Sequence, residues 1–209
     1  MGFLPILGGG NESAMFFLMS LISCGDPLFY LGENGVTVMC PDAKEGSFGE
    51  VNGIVYTKRN RDEMDSLVYA EDWDVIERTC TSSLVDMSSM LGHTTFNGDI
   101  SSWDVSKVRD MNYMFQVATA FNGDISSWDV SKVQNMNFLF TKATAFNGDI
   151  SSWDVSRVTQ MQGMLNKASS FNQDLSTWCV SQISSQPERF DSDTTSWTKP
   201  RPVWCTCPQ

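Results

Sequence analysis
The chain has 209 residues, enough for one domain with small caps, and carries a net charge of −11 with a pI of about 4.4. That balance argues against nucleic-acid binding, which needs a basic footprint for the phosphate backbone. The acidic residues are spread along the chain, so an acidic tail is not indicated either, and no apolar run reaches the roughly 18 residues of a membrane span.

The first element is an apolar stretch, residues 14–24 (AMFFLMSLISC), of signal-peptide size and followed by polar Gly-Asp. Its ending, Leu21-Ile22-Ser23-Cys24, resembles a bacterial lipobox, in which the cysteine receives lipid and the preceding segment is removed. The leader before it has no Lys or Arg, so a signal cleaved elsewhere and an unprocessed apolar segment stay open. The expected division is a signal-like segment at 1–23, a tether at 24–34, an N-terminal cap with a divergent first repeat at 35–95, repeats at 96–178 and a C-terminal cap at 179–209.

Within the N-terminal cap, Val36-Thr37-Val38 and Gly53–Thr57 have β-character, and residues 41–50 read as the loop of a hairpin joining them. Residues 61–71 read as a short helix with Met64, Leu67 and Val68 on one face. Asp72-Trp73-Asp74-Val75 is a divergent copy of the Ser-Trp-Asp-Val that recurs downstream, and residues 83–91 match the second half of a repeat.

The repeats follow. Phe96–Ala120 and Phe121–Ala145 are identical at 19 of 25 positions, Phe146–Ser170 is a third copy, and a fourth begins at Phe171 and breaks off. A 25-residue period is too short for a propeller blade and falls in the leucine-rich-repeat range. Ile100, Trp103 and Val105 have the spacing of a repeat strand, with Trp103 and Val105 pointing inward. Val108, Met111 and Met114 or Phe115 recur at helical spacing, and Asn97-Gly98-Asp99 is a turn. The expected fold is therefore an α/β repeat solenoid: a leucine-rich-repeat-like short strand plus short helix per 25-residue coil, between an N-terminal hairpin/helix cap and a disulfide-stapled C-terminal cap.

Six cysteines lie outside the three full repeats. Confinement to the ends suggests cystines formed in an oxidising compartment. The expected pairs are Cys40–Cys80 and Cys179–Cys207, leaving Cys205 over and Cys24 for lipid. Zinc fits poorly, since Cys205-Thr-Cys207 has the wrong spacing and His93 is the only histidine.

The unit FN-x-D-I-S-x-W-D-V-S-x-V-x-x-M-x-x-M-F resembles that of the BspA-like leucine-rich repeat surface proteins, long catalogued as a bacterial domain of unknown function. Glu33–Arg59 resembles the leading segment of such proteins and Trp178–Pro208 their terminal cap, with one departure at Cys205, where a P-x-W-G-T-C-P ending would have Gly. The resemblance covers roughly residues 33–208. It implies a secreted or surface-anchored protein engaged in adhesion or protein contact, and no catalytic residues.

Three rungs repeat between the inward positions: Ser102-Asp104-Ser106, Ser127-Asp129-Ser131 and Ser152-Asp154-Ser156. On a strand face they would form the binding surface usual in repeat proteins, or else a solvated face whose polar groups satisfy turn backbone. A second row, Asp99, Asp124, Asp149 and Asp174 with Asn97, Asn122, Asn147 and Asn172, offers one carboxylate per turn, too few oxygens for calcium, and reads as turn chemistry. No Ser or Cys with a base can be placed beside His93, and the methionines read as core rather than a copper cluster. No metal and no cofactor is expected. The expected function is a non-catalytic protein exposed at the cell surface, lipid-anchored to the outer membrane, mediating adhesion or contact with an extracellular protein or glycan; the alternative is a structural or spacer role without a specific ligand.

Overall fold
In the computed structural model, residues 28–208 are described. Strand β1 (Tyr30–Leu31) pairs antiparallel with β2 (Val38–Met39), matching Tyr30 with Met39 and Leu31 with Val38. Asn34 makes the turn between them, its Oδ1 accepting the N–H of Val36 at 3.1 Å and of Thr37 at 3.0 Å. β3 (Phe48–Val51) and β4 (Ile54–Lys58) form a second antiparallel pair. Its two-residue turn, Asn52-Gly53, has positive φ at both positions, as a type I′ turn demands. β5 (Thr79–Cys80) adds to β4 in parallel. The hairpin expected to join Val36–Val38 to Gly53–Thr57 does not form. Each segment finds a partner nearer in sequence, and Phe48–Val51, read as loop, is a strand.

Helix α1 (Arg61–Tyr69) opens on a capping box: Asn60 Oδ1 accepts the Glu63 N–H, and the Glu63 carboxylate accepts the Asn60 N–H, both at 3.0 Å. Met64 is fully buried, and Leu67 and Val68 pack beside it. α2 (Trp73–Glu77) is helical where the sequence suggests a copy of the repeat strand.

These two small sheets and two short helices are all the regular secondary structure among the described residues. The α/β solenoid with a strand and a helix in every unit is therefore contradicted: residues 96–178 hold turns and isolated bridges only, and neither sheet closes or curls. The reasons are local. Where a strand was expected, Asp99 Oδ1 takes the Ser101 N–H and Asp104 Oδ1 takes the Ser106 N–H, so side chains compete with any ladder. Trp103 N–H and Val108 N–H turn back to the carbonyls of Ile100 and Val105.

Where a helix was expected, Tyr113 and Val117 lie at φ +59°, a left-handed conformation that interrupts any right-handed helix. The backbone bonds alternate instead. Met111, Tyr113, Phe115 and Val117 donate to Asn135, Asn137, Leu139 and Thr141 in the next unit, while Met114, Gln116 and Ala118 donate three residues back. Every N–H thereby finds an acceptor without a continuous element.

The apolar positions face one core that runs from Met64 to Trp197. Trp103, Trp128 and Trp153 stack with centroids 6.3 and 6.5 Å apart and planes within 4°. Phe96, Phe121, Phe146 and Phe171 form a second row at 6.0 to 6.3 Å. Each tryptophan spends its N–H on the preceding unit: Trp128 on Ile100 at 3.1 Å, Trp153 on Ile125 at 3.1 Å and Trp178 on Ile150 at 3.0 Å. At the C-terminal end, Leu165 and Val180 donate to the carbonyls of Phe190 and Thr206, and Phe190 and Trp197 fill the end of the core. A separate small core of Phe29, Val38, Ala43, Val51 and Tyr56 surrounds the Cys40–Cys80 disulfide. There Gly49 admits the Phe29 ring, which a Cβ at that position would overlap.

Candidate functional site
The rung face is built by turns rather than strands. In each unit the Asp of Ser-Asp-Ser accepts the N–H two residues on: Asp104 from Ser106 at 3.0 Å, Asp129 from Ser131 at 3.1 Å and Asp154 from Ser156 at 3.0 Å. The first hydroxyl of a rung reaches back one unit, Ser127 to the carbonyl of Ser101 and Ser152 to that of Ser126, both at 3.4 Å. Much of the polar capacity expected to meet a ligand is thus used to hold the turns. Ser156, through its hydroxyl and then its backbone N–H, holds the Asp154 carboxyl below the usual range for aspartate.

The rungs are not equivalent. Asp129 and Asp154 are exposed, Ser152 is exposed, and Ser102, Ser106, Ser127, Ser131 and Ser156 are partly exposed. Asp104 is only 2% exposed. The difference lies in the N-terminal hairpin, which docks on the first rung: Val38 N–H donates to Ser102 O at 2.8 Å, and Asn34 Nδ2 to Ser127 O at 3.3 Å. Thr81 Oγ1 donates to the Asp104 carbonyl from the other side. A cleft of about 420 Å³ opens between hairpin and rungs. Tyr30, Leu31 and Met39 line it from the hairpin and Asp104, Ser106 and Asp129 from the rungs.

The sequence reading missed the hairpin side of this cleft by taking residues 24–34 for a tether. The signal was present: Leu28-Phe29-Tyr30-Leu31 is an apolar run, and Asn34-Gly35 is a strong turn pair before Val36-Thr37-Val38.

The second row also serves turns. Asp99, Asp124, Asp149 and Asp174 accept the N–H of Ser101, Ser126, Ser151 and Ser176 at 2.9 to 3.0 Å. Asn97, Asn122 and Asn147 accept the N–H of Asn122, Asn147 and Asn172 in the following unit. Among the described residues no group of three or more His, Cys, Asp or Glu could hold a metal ion. His93 Nε2 lies 3.3 Å from Gln116 Oε1. Met87, Met90, Met111, Met114, Met136, Met161 and Met164 are buried in the core.

Cys40 is bonded to Cys80 and Cys179 to Cys207, and Cys205 is a free, exposed thiol. Cys24 and the apolar stretch before it lie outside the described residues. No helix among those residues is long and apolar enough to cross a membrane.

The family model described as "Mycoplasma protein of unknown function, DUF285" matches residues 63–178 and 124–206. No curated protein and no solved structure matches the chain.

Proposed function
We propose that this chain, which belongs to the DUF285 family, is a non-catalytic protein of the cell surface that binds a repeating partner, a glycan or an extracellular protein. The binding face is the exposed part of the rungs, Asp129 and Asp154 with Ser131, Ser152 and Ser156. The observation that carries the reading is that two exposed carboxylates, 25 residues apart in sequence, are held by the same side-chain turn on successive units. Such groups are ordered before a ligand arrives, which lowers the entropy lost on binding. They recur at the same place in successive units, so a periodic partner meets the same acceptor twice.

Further support comes from the repeat unit, which resembles that of the BspA-like surface proteins, and from two disulfides, which suit an oxidising compartment. Export and lipid attachment at Cys24 complete the proposal. Cys24→Ser should release the protein from the membrane fraction or leave an uncut precursor; equal membrane retention of both forms would remove the anchor from the account.

A structural role without a specific ligand is the second reading. The reach of the Ser127, Ser152 and Thr177 hydroxyls into the preceding unit favours it. The purified protein and its Asp129→Asn/Asp154→Asn variant separate the two. A binding face loses affinity while the protein stays folded, whereas a structural row changes melting alone.

A further inference from the structure
The first rung presents a carboxylate in a setting its sequence equivalents do not share. Asp104, Asp129 and Asp154 make the same bond from Oδ1 to the N–H two residues on. Asp129 and Asp154 are exposed, but Asp104 is 2% exposed and its Oδ2 is buried with no hydrogen-bond partner among the described residues. A buried carboxylate oxygen left unpaired is strongly unfavourable unless a donor or cation meets it.

The residue lines the hairpin cleft, and two more carboxylates, Glu33 and Asp129, line the same space. None of the lining residues is Lys, Arg or His. Lys107, next along the chain from Ser106, is exposed. Tyr30, Leu31 and Met39 supply apolar surface in the same space. At about 420 Å³ the cleft is within the size range of small-ligand sites.

We propose that this cleft binds an organic cation, an ammonium or guanidinium group on an alkyl stem, with Asp104 as its principal acceptor. The head group pairs with the Asp104 carboxylate, Glu33 and Asp129 add to the negative field, and the stem lies against Tyr30, Leu31 and Met39. The same chemistry is offered by a free amine or guanidine and by a Lys or Arg side chain of a protein partner. The site adjoins the rung face and shares Asp129 with it, but Asp104 and the hairpin belong to the cleft alone.

Calorimetric titration of the full chain with n-butylguanidinium, n-butylammonium, n-butanol and butyrate tests the proposal. Both cations should bind at least about tenfold more tightly than the alcohol and the acid, the difference expected for one charge-assisted hydrogen bond. Asp104→Asn keeps an oxygen for the Ser106 N–H and should weaken cation binding by about tenfold or more. Glu33→Gln, on the exposed turn, should weaken it by a smaller factor and guards against a folding defect in the first variant. Asp154→Asn, outside the cleft, should leave cation binding unchanged. Equal binding of butanol and butylammonium, or cation binding indifferent to Asp104→Asn, overturns the site. Capped lysine and arginine (acetylated and amidated) then identify the source. Binding equal to that of the free cations shows that a protein side chain is accepted, and binding of the free cations alone assigns the cleft to a small molecule. The rung-face reading stands or falls on Asp129 with Asp154, so a failure at Asp104 alone leaves it in place.

Discussion

Trp128→Ala removes the middle ring of the tryptophan row. The side chain is 4% exposed and lies between Trp103 at 6.3 Å and Trp153 at 6.5 Å. Phe115 is also 6.3 Å away. Truncation of a buried Trp to Ala costs about 3–5 kcal/mol through lost burial and the cavity left behind. Part of that cost is polar: Nε1 donates to the buried Ile100 carbonyl at 3.1 Å, and the stranded acceptor accounts for about 1–3 kcal/mol of it. Trp128→Phe isolates that part, since it keeps an aromatic ring in the row and loses the donor. For a domain of this size each kcal/mol moves Tm by about 2–4 °C, so the Ala variant should melt roughly 6–20 °C lower. Trp128→Phe should fall between parent and Ala. Differential scanning calorimetry measures both. An Ala variant melting within about 2 °C of the parent, less than one kcal/mol, would refute the stacked-ring core.

Gly163 lies at φ +60° in the place held by Tyr113 and Phe138 in the earlier units, and a Cβ there would stand 2.6 Å from the Phe138 ring, so Gly163→Ala should lower thermal stability. Val117 is a β-branched residue at φ +59°, and Val117→Gly should relieve part of the roughly 1–2 kcal/mol left-handed penalty, leaving Tm unchanged or raised. Cys40 and Cys80 are fully buried while Cys207 is exposed, so mass-tag labelling during a reductant titration of the folded protein should find Cys179–Cys207 opened first. Cys40→Ala/Cys80→Ala opens a link across 40 residues, which the chain-entropy model values at about 4 kcal/mol, readable by denaturant titration. Asp124, held low by the Ser126 backbone N–H and hydroxyl, and Asp149, held low by the Ser151 hydroxyl and N–H, are depressed carboxyls. Their stabilisation is present above the unfolded value near pH 4 and fades as pH falls through the lower folded values. Tm should therefore be flat from about pH 5 to 8 and drop below about pH 4; Asp124→Asn/Asp149→Asn, which keep the turn acceptor and lose the charge, should soften that drop.

Which residues point inward was readable from the sequence. Ile100, Trp103, Val105, Val108, Met111, Met114, Phe115, Ala118 and Phe121 are all buried. The secondary structure was not, because Val108, Met111 and Met114 at three-residue intervals fit a helix and also fit turns that close three residues back. Positive φ at Tyr113 and Val117 decides for turns, and nothing in the identity of those residues announces it. The same holds for Ile100-x-x-Trp103-x-Val105, whose alternation suggests a strand while the flanking Asp99 and Asp104 bend the chain through their own side chains. The rungs were visible as a pattern, but their inequality was not: Asp104 is buried beside a hairpin whose Val38 and Asn34 lie far upstream and bond Ser102 and Ser127 only through the fold.

The claim that the exposed rungs form the binding face is tested most directly on glycan and matrix-protein arrays. The parent, the Asp129→Asn/Asp154→Asn variant and a charge-reversed Arg109→Glu/Lys142→Glu/Lys167→Glu variant would be compared side by side. The account predicts that the Asn variant loses the signal the parent gives while staying folded, with Tm lower by no more than about 4 °C, while the charge-reversed variant keeps it. An Asn variant that binds like the parent, beside a charge-reversed variant that does not bind, would place the functional surface at Arg109, Lys142 and Lys167 and contradict the account.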